Sequence, residues 1–186
     1  DSPFSETSVA QNGTGATNLR PTEGRQSLGL SGTDHAEAVA EETAALAALE
    51  AALTGDSALP EDLMAHVQTR LSDEGLVIEI FSRPGQEIFD PDTGQPATWL
   101  PELARVMADL FGTVINDIAL GGHVAAEPVV VASETRWRVS TDRAQLFRAM
   151  LEAGGLPPRR IRRVTGHADR DAASANPMAL RNDRLE

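Results

Sequence analysis

The sequence predicts an α+β domain in two layers. A β-α-β-α-β unit, with room for a final strand, lays its helices on one face of a mixed sheet. Three observations predict this. From about residue 75 onward, apolar spacing alternates between a helical period and β-branched runs. Proline and glycine stand where the period changes. Residues 1–33 are rich in Ser, Thr, Gly, Asn and Gln, with few large apolar residues, so they have too little surface to bury to order themselves. The chain therefore divides into a flexible tether over 1–33, linker helices over 34–73 and a main domain over 74–186.

Taken in order, Asp34 is placed to cap a helix over 35–54. Val39, Leu46, Leu49 and Leu53 line one side of it, Glu37, Glu41, Glu42 and Glu50 the other, and Gly55 stops it. So narrow a stripe needs a partner, either the main domain or a second copy. Pro60 and Glu61 open a second helix to about 72, with Leu63, Met64, Val67 and Leu71 at helical spacing. Leu76–Phe81 is a β-branched strand, and residues 84–97 are loop. Pro101 starts a helix to about 112 with Leu100, Leu103, Val106, Met107 and Leu110 inward. Residues 116–122 form a strand, and 124–136 connect it to a helix over 141–153. Ser140 is its predicted cap, and Leu146, Phe147, Met150 and Leu151 its buried face. Gly154-Gly155 ends that helix. Residues 160–165 form the next strand, 172–181 a short helix, and Arg184 onward a last strand.

Composition excludes several chemistries. There is no Cys, hence no disulfide, thiolate metal site or Cys nucleophile. All 16 basic residues are Arg and the net charge is -12. Residues 1–100 carry 17 acidic residues against four Arg. Such a chain does not suit general nucleic-acid binding, which needs positive potential. The run Arg159-Arg160-Ile161-Arg162-Arg163 reads as a strand with a solvated face. No stretch reaches the roughly 18–20 apolar residues of a membrane span. Asp1 is not a natural start, which predicts a mature or excised fragment.

Among candidate sites, Arg143 lies just inside the helix that Ser140 would cap. Free N–H groups at a helix start, with an Arg fork beside them, suit a carboxylate. The plainer reading pairs Arg143 with Asp142, Glu127 or Glu134. His123 and His167 each follow Gly at a strand end, near Asp169 and Asp171. A zinc site needs three or four compactly placed ligands, and their spacing supplies no such pattern, so no metal or cofactor is expected. No Gly-x-Ser-x-Gly elbow and no Gly-rich phosphate loop occurs, so the chain does not read as an enzyme.

The segment from about 75 to 186 resembles an OmpA-like peptidoglycan-binding domain, a two-layer sandwich, and within that group the periplasmic region of the MotB flagellar stator family. Gly122-His123 matches the start of that family's Gly-His-Thr-Asp. Trp137 to Ala144 resembles its Trp-x-Leu-Ser-x-x-Arg-Ala. Leu151 to Ile161 follows the stator pattern, and Asn182-Asp183-Arg184-Leu185-Glu186 resembles Asn-Arg-Arg-Val-Glu. Order and spacing over some 110 residues carry the likeness.

The resemblance implies a non-catalytic, homodimeric periplasmic anchor. It would be tied to the inner membrane by an upstream helix, assembled with a membrane-embedded stator subunit, and bound to peptidoglycan. It also implies a ligand site of Arg143, His123 and Asn182. In the family that Arg and the Asp of Gly-His-Thr-Asp hold diaminopimelate. Here the Asp position is Ala125 and the Thr is Val124, with Glu127 the nearest substitute. Losing a carboxylate that meets an ammonium costs on the order of 1.5–3 kcal/mol, about tenfold to a hundredfold in affinity. The alternative expectation is an OmpA-like fold that has lost wall recognition and serves dimerisation or protein interaction.

Overall fold

The computed structural model describes residues 32–54, 60–72, 75–127 and 133–186. Helix α1 spans Gly32–Thr54 and α2 is a single turn, Glu61–Met64. Strands β1 (Val67–Ser72) and β2 (Gly75–Phe81) follow. Then come α3 (Leu100–Phe111), β3 (Ile118–His123), α4 (Ser133–Ala153), β4 (Ile161–Gly166) and β5 (Arg184–Leu185). The sheet runs β1-β2-β5-β3-β4. β3 and β4 are parallel and the remaining pairs antiparallel. The α+β class and the mixed sheet are as the sequence predicts.

Side chains alternate across a strand, and the core lies on the side of Ile78 and Ile80 of β2, Leu120 of β3 and Leu185 of β5. Against these pack Leu100, Leu103, Met107 and Phe111 of α3 and Phe147 and Leu151 of α4. Leu49 and Leu53 of α1 are buried in the same core, so the main domain partners the stripe on α1. Thr69 Oγ1 donates to Glu50 at 3.0 Å, tying α1 to β1. Between β2 and β3, β5 fills only the levels of Ile80 and Phe81 on one side and of Gly122 and His123 on the other. Beside it lies a cavity of about 260 Å³ whose lining includes Ile78, Leu120, Phe147 and Glu186.

The helix expected over 60–72 is corrected. It stops at Met64, and Val67–Ser72 is an edge strand, Val67 opposite Ile80 and Leu71 opposite Leu76. The sheet thus begins ahead of the expected boundary at 74. Val67 and Thr69 are half-buried while Gln68 and Arg70 are exposed, a two-residue period that the spacing of Val67 and Leu71 disguised. Helix α1 begins at Gly32, so Asp34 lies inside it. Of the expected tether over 1–33, residues 1–31 lie outside the described residues and 32–33 belong to α1; the stop at Gly55 also lies outside them.

Two further corrections bear on the site. Helix α4 begins at Ser133, so Ser140 lies within it and Arg143 is nearly three turns in from the helix start. Its inward positions are Ser140, Ala144, Phe147 and Leu151, while Leu146 is exposed. No α-helix forms over 172–181: turns lead to one 3-10 turn at Leu180–Asn182. Asn182 fixes this path. Its Oδ1 accepts from Ser174 N–H at 2.9 Å, and its Nδ2 donates to the carbonyls of Asn176 and Pro177 at 2.8 and 2.9 Å. These bonds take up the loop's backbone groups and leave no helical ladder.

Candidate functional site

Two glycines let α4 lie directly on the ends of β3 and β4. A Cβ on Gly122 would stand 2.1 Å from the Ser140 carbonyl oxygen, and one on Gly166 would stand 2.2 Å from Thr141 Oγ1. Any side chain there pushes the helix away. Ser140 works from inside α4. Its hydroxyl donates back to the Trp137 carbonyl at 3.0 Å and accepts the Ala168 N–H at 3.0 Å. Ala168 holds a left-handed backbone, φ 51°, and its carbonyl accepts Val124 N–H at 2.9 Å. The corners after β3 and β4 are thus bonded to each other and to α4.

On this helix side, Arg143 Nη1 donates to Asp183 Oδ1, a pair with 13% exposure on each side chain. Its guanidinium lies 4.9 Å from the Phe89 ring centroid, within cation–π reach. The other Asp183 oxygen accepts Ser82 Oγ–H at 3.0 Å, and that hydroxyl accepts Ile88 N–H at 3.1 Å. Arg143 Nε is buried without a partner. Of the expected surface partners, Asp142 meets Arg138 instead, at 3.4 Å, and Glu127 is exposed beyond β3; the Glu134 side chain lies outside what the structure describes. A carboxylate from this chain's own C-terminal segment occupies the fork. Val124 is buried and Ala125 half-buried, so the residues after His123 present no charge to it.

His123 lies across the sheet from Arg143. It alternates with Gly122, whose α-carbon faces α4, so its ring points to the opposite side. There it stacks on His167, centroids 4.5 Å apart and planes within 3°. Glu186 Oε2 is 3.6 Å from His123 Nε2, an ion-pair neighbour too distant for a hydrogen bond. Arg184, 3% exposed, reaches Glu186 Oε1 at 2.9 Å and the Asp171 carbonyl at 2.9 Å. Glu79 and Arg181 pair beside it. His123 and then Arg184 hold the Glu186 carboxyl down to about 2, against the opposing effect of burial. Burial first, and His123 second, lower the pKa of His167.

Of the four residues singled out in the sequence, then, Arg143 and His123 are on opposite faces, Glu127 is in solvent, and Asn182 is a loop clamp with its amide engaged. Sequence reasoning missed Ser82 and took Asp183, Arg184 and Glu186 only as part of a stretch that resembles the family's closing motif, with no role in the site. The alternation of Asp183 and Leu185 against Arg184 and Glu186 was the available signal. The metal candidates also regroup. Asp169 pairs with Arg136 at 2.8 Å, whereas Asp171 approaches His123.

No family model matches the chain. The "OmpA-like domain of FopA1" from Francisella tularensis is similar in structure at TM-score 0.50 and 13% identity, over 64% of this chain and 75% of that one. The cell wall anchor of the T6SS from Pseudomonas aeruginosa is similar at TM-score 0.50 and 24% identity, over 65% and 85%. The fold is that of an OmpA-like domain. The periplasmic domain of Helicobacter pylori MotB superposes at TM-score 0.54 and 14% identity, over 64% and 78%. In sequence the chain is 29% identical over 108 residues to Motility protein B of Escherichia coli (strain K12), covering 57% of this chain and 35% of that protein. Within the OmpA-like class the domain is thus similar to MotB in sequence and in fold. The matched stretch spans about a third of Motility protein B.

Proposed function

We propose that this chain is the periplasmic anchoring part of a flagellar stator, a non-catalytic domain that dimerises and holds the motor to peptidoglycan. The carrying observation is Arg143. It projects from α4 beside β5, on a fold shared with MotB domains and a cell wall anchor, and its buried Nε is still unpartnered. A wall-peptide carboxylate would take the fork in place of Asp183. Glu127 is exposed near the end of β3 and would meet the ligand's ammonium. No helix of the described residues is long and apolar enough to cross a membrane, so attachment to the inner membrane and to a stator subunit would come from elsewhere in the protein. The test is co-sedimentation with insoluble peptidoglycan. Retention of the native chain and loss of about tenfold in Arg143→Ala support the reading. Equal retention of the two sinks the site.

One observation favours a second reading, in which the fold has lost wall recognition and serves as a dimerisation or protein-interaction module. Asp183 already engages Arg143 Nη1, and Ala125 supplies no carboxylate. On that reading the native chain stays in the supernatant, and Ala125→Asp combined with Asp183→Ala restores sedimentation. Sedimentation of the native chain disposes of it.

A further inference from the structure

We propose that the face of the sheet opposite the helices holds one divalent transition-metal cation, zinc by chemistry. Its ligands are His123 Nε2, a Glu186 carboxylate oxygen and an Asp171 carboxylate oxygen. Among the described residues these three offer donor atoms that all lie within 4.8 Å of one another.

The independent sign of a ligand is His123 itself. Its side chain is 1% exposed, and neither ring nitrogen has a hydrogen-bond partner. Buried polar atoms are ordinarily paired. The nearest group, Glu186 Oε2, stands at 3.6 Å. That is too far for a hydrogen bond. It is close to the separation of about 3.4 Å between two ligands that each sit about 2.0–2.1 Å from a tetrahedral zinc.

The surroundings fit a held ion. Arg184 Nε and Nη2 grip Glu186 Oε1 at 3.0 and 2.9 Å, which leaves Oε2 turned toward His123. Arg184 Nη1 donates to the Asp171 carbonyl at 2.9 Å and so sets that residue's backbone. Partners of this kind orient ligands at metal sites. Arg184 also opposes a cation, but Glu79, Asp171 and Glu186 together outnumber Arg181 and Arg184, and Arg181 is engaged by Glu79. His167, stacked flat on His123, walls off one side of the ring. The Asp171 side chain is 65% exposed and gives the ion its way in. One imidazole with two carboxylates suits zinc and its transition-metal neighbours better than calcium or magnesium, which take all-oxygen sets. A water would fill the fourth position. Bound there, the ion ties the loop after β4 to β5, a structural role.

The test is calorimetric titration of the chelator-stripped chain with zinc chloride at neutral pH, with cobalt(II) absorption as a second readout. The expected result is one site per chain, visible cobalt bands, and a thermal midpoint that rises with zinc. Asp171→Ala, at an exposed position, should fold normally and bind more than about tenfold more weakly. Glu186→Gln should do the same, and His35→Ala should bind like the native chain. His123→Gln should not bind, and if it fails to fold the two carboxylate variants decide. No binding by the native chain overturns the proposal, as does affinity unchanged in both carboxylate variants.

Discussion

The two faces of the sheet at its β5–β3–β4 end are built from adjacent residues and solve opposite problems. On the helix side Gly122 and Gly166 remove bulk so that α4 can touch the strands, and the charged pair there, Arg143 with Asp183, closes on itself. On the other side His123, His167 and Glu186 bring bulk and polarity together, and two ring nitrogens are left over. On the helix side Asp183 takes Arg143 Nη1 and leaves only Nε over, whereas on the other side both ring nitrogens of His123 are unpaired. The two residues that resemble the family's site thus differ in what they have to spare: this chain's own Asp183 engages Arg143, and no side chain hydrogen-bonds His123.

Gly122→Ala breaks the comparison most severely. Its Cβ meets helix backbone at 2.1 Å, and a helix cannot swing away as a side-chain tip can. Unfolding by urea should show a loss of about 4 kcal/mol or more, beyond ordinary overpacking. Gly121→Ala, one residue earlier and facing the histidines, meets His123 Nε2 at 3.3 Å and should cost about 1 kcal/mol. Equal losses in the two would show that the faces do not differ as described.

Next in size is the closed pair. Asp183→Ala strands Arg143 and frees the Ser82 hydroxyl, and should cost about 3 kcal/mol. Arg143→Met with Asp183→Leu together should cost less than the sum of the single changes, because each single change leaves a partly buried charge alone. Additive losses would mean that the two side chains do not depend on each other. Ser140→Ala should cost about 1–2 kcal/mol, since it leaves the Ala168 N–H without its acceptor. A loss below about 0.5 kcal/mol would mean that a water replaces the hydroxyl.

How much of this was legible follows from which signals are local. The β2, α3, β3 and β4 segments were readable because each carries its own period and stop residue. Val67–Ser72 was not. Its strand character comes from pairing with Val77, Ile78 and Ile80, while its apolar positions, 67 and 71, also fit a helix. The early start of α4 was hidden because Thr135, Trp137 and Arg138 are exposed and show no apolar stripe. Ser140 imitated a cap because its hydroxyl bonds backbone, but it bonds back to Trp137. Arg143 and His123 were visible as chemistry. That they point away from each other depends on α4 packing against Gly122 and not against its neighbours Gly121 and His123, a tertiary contact that no local period records.

The smallest effect reaches the Arg143 side through Phe89, whose ring lies under the guanidinium. The next residue, Asp90, is exposed. Its Oδ1 accepts Thr93 N–H at 2.7 Å, Thr93 Oγ–H at 2.8 Å and Asp92 N–H at 3.0 Å. These bonds, the Thr93 N–H first, hold the Asp90 carboxyl below its ordinary value of 3.8. A depressed folded-state pKa stabilises wherever the pH is above the unfolded value, and the contribution fades as the pH falls through the folded one. The native chain should therefore exceed Asp90→Ala in stability above about pH 4, and the difference should narrow as acid is added. Because the carboxylate is exposed, the difference should be the least of those above. Denaturation curves of both chains across the acid range measure it. A difference that stays constant, or widens, toward low pH would show that the turn after Phe89 does not depend on the charge of Asp90.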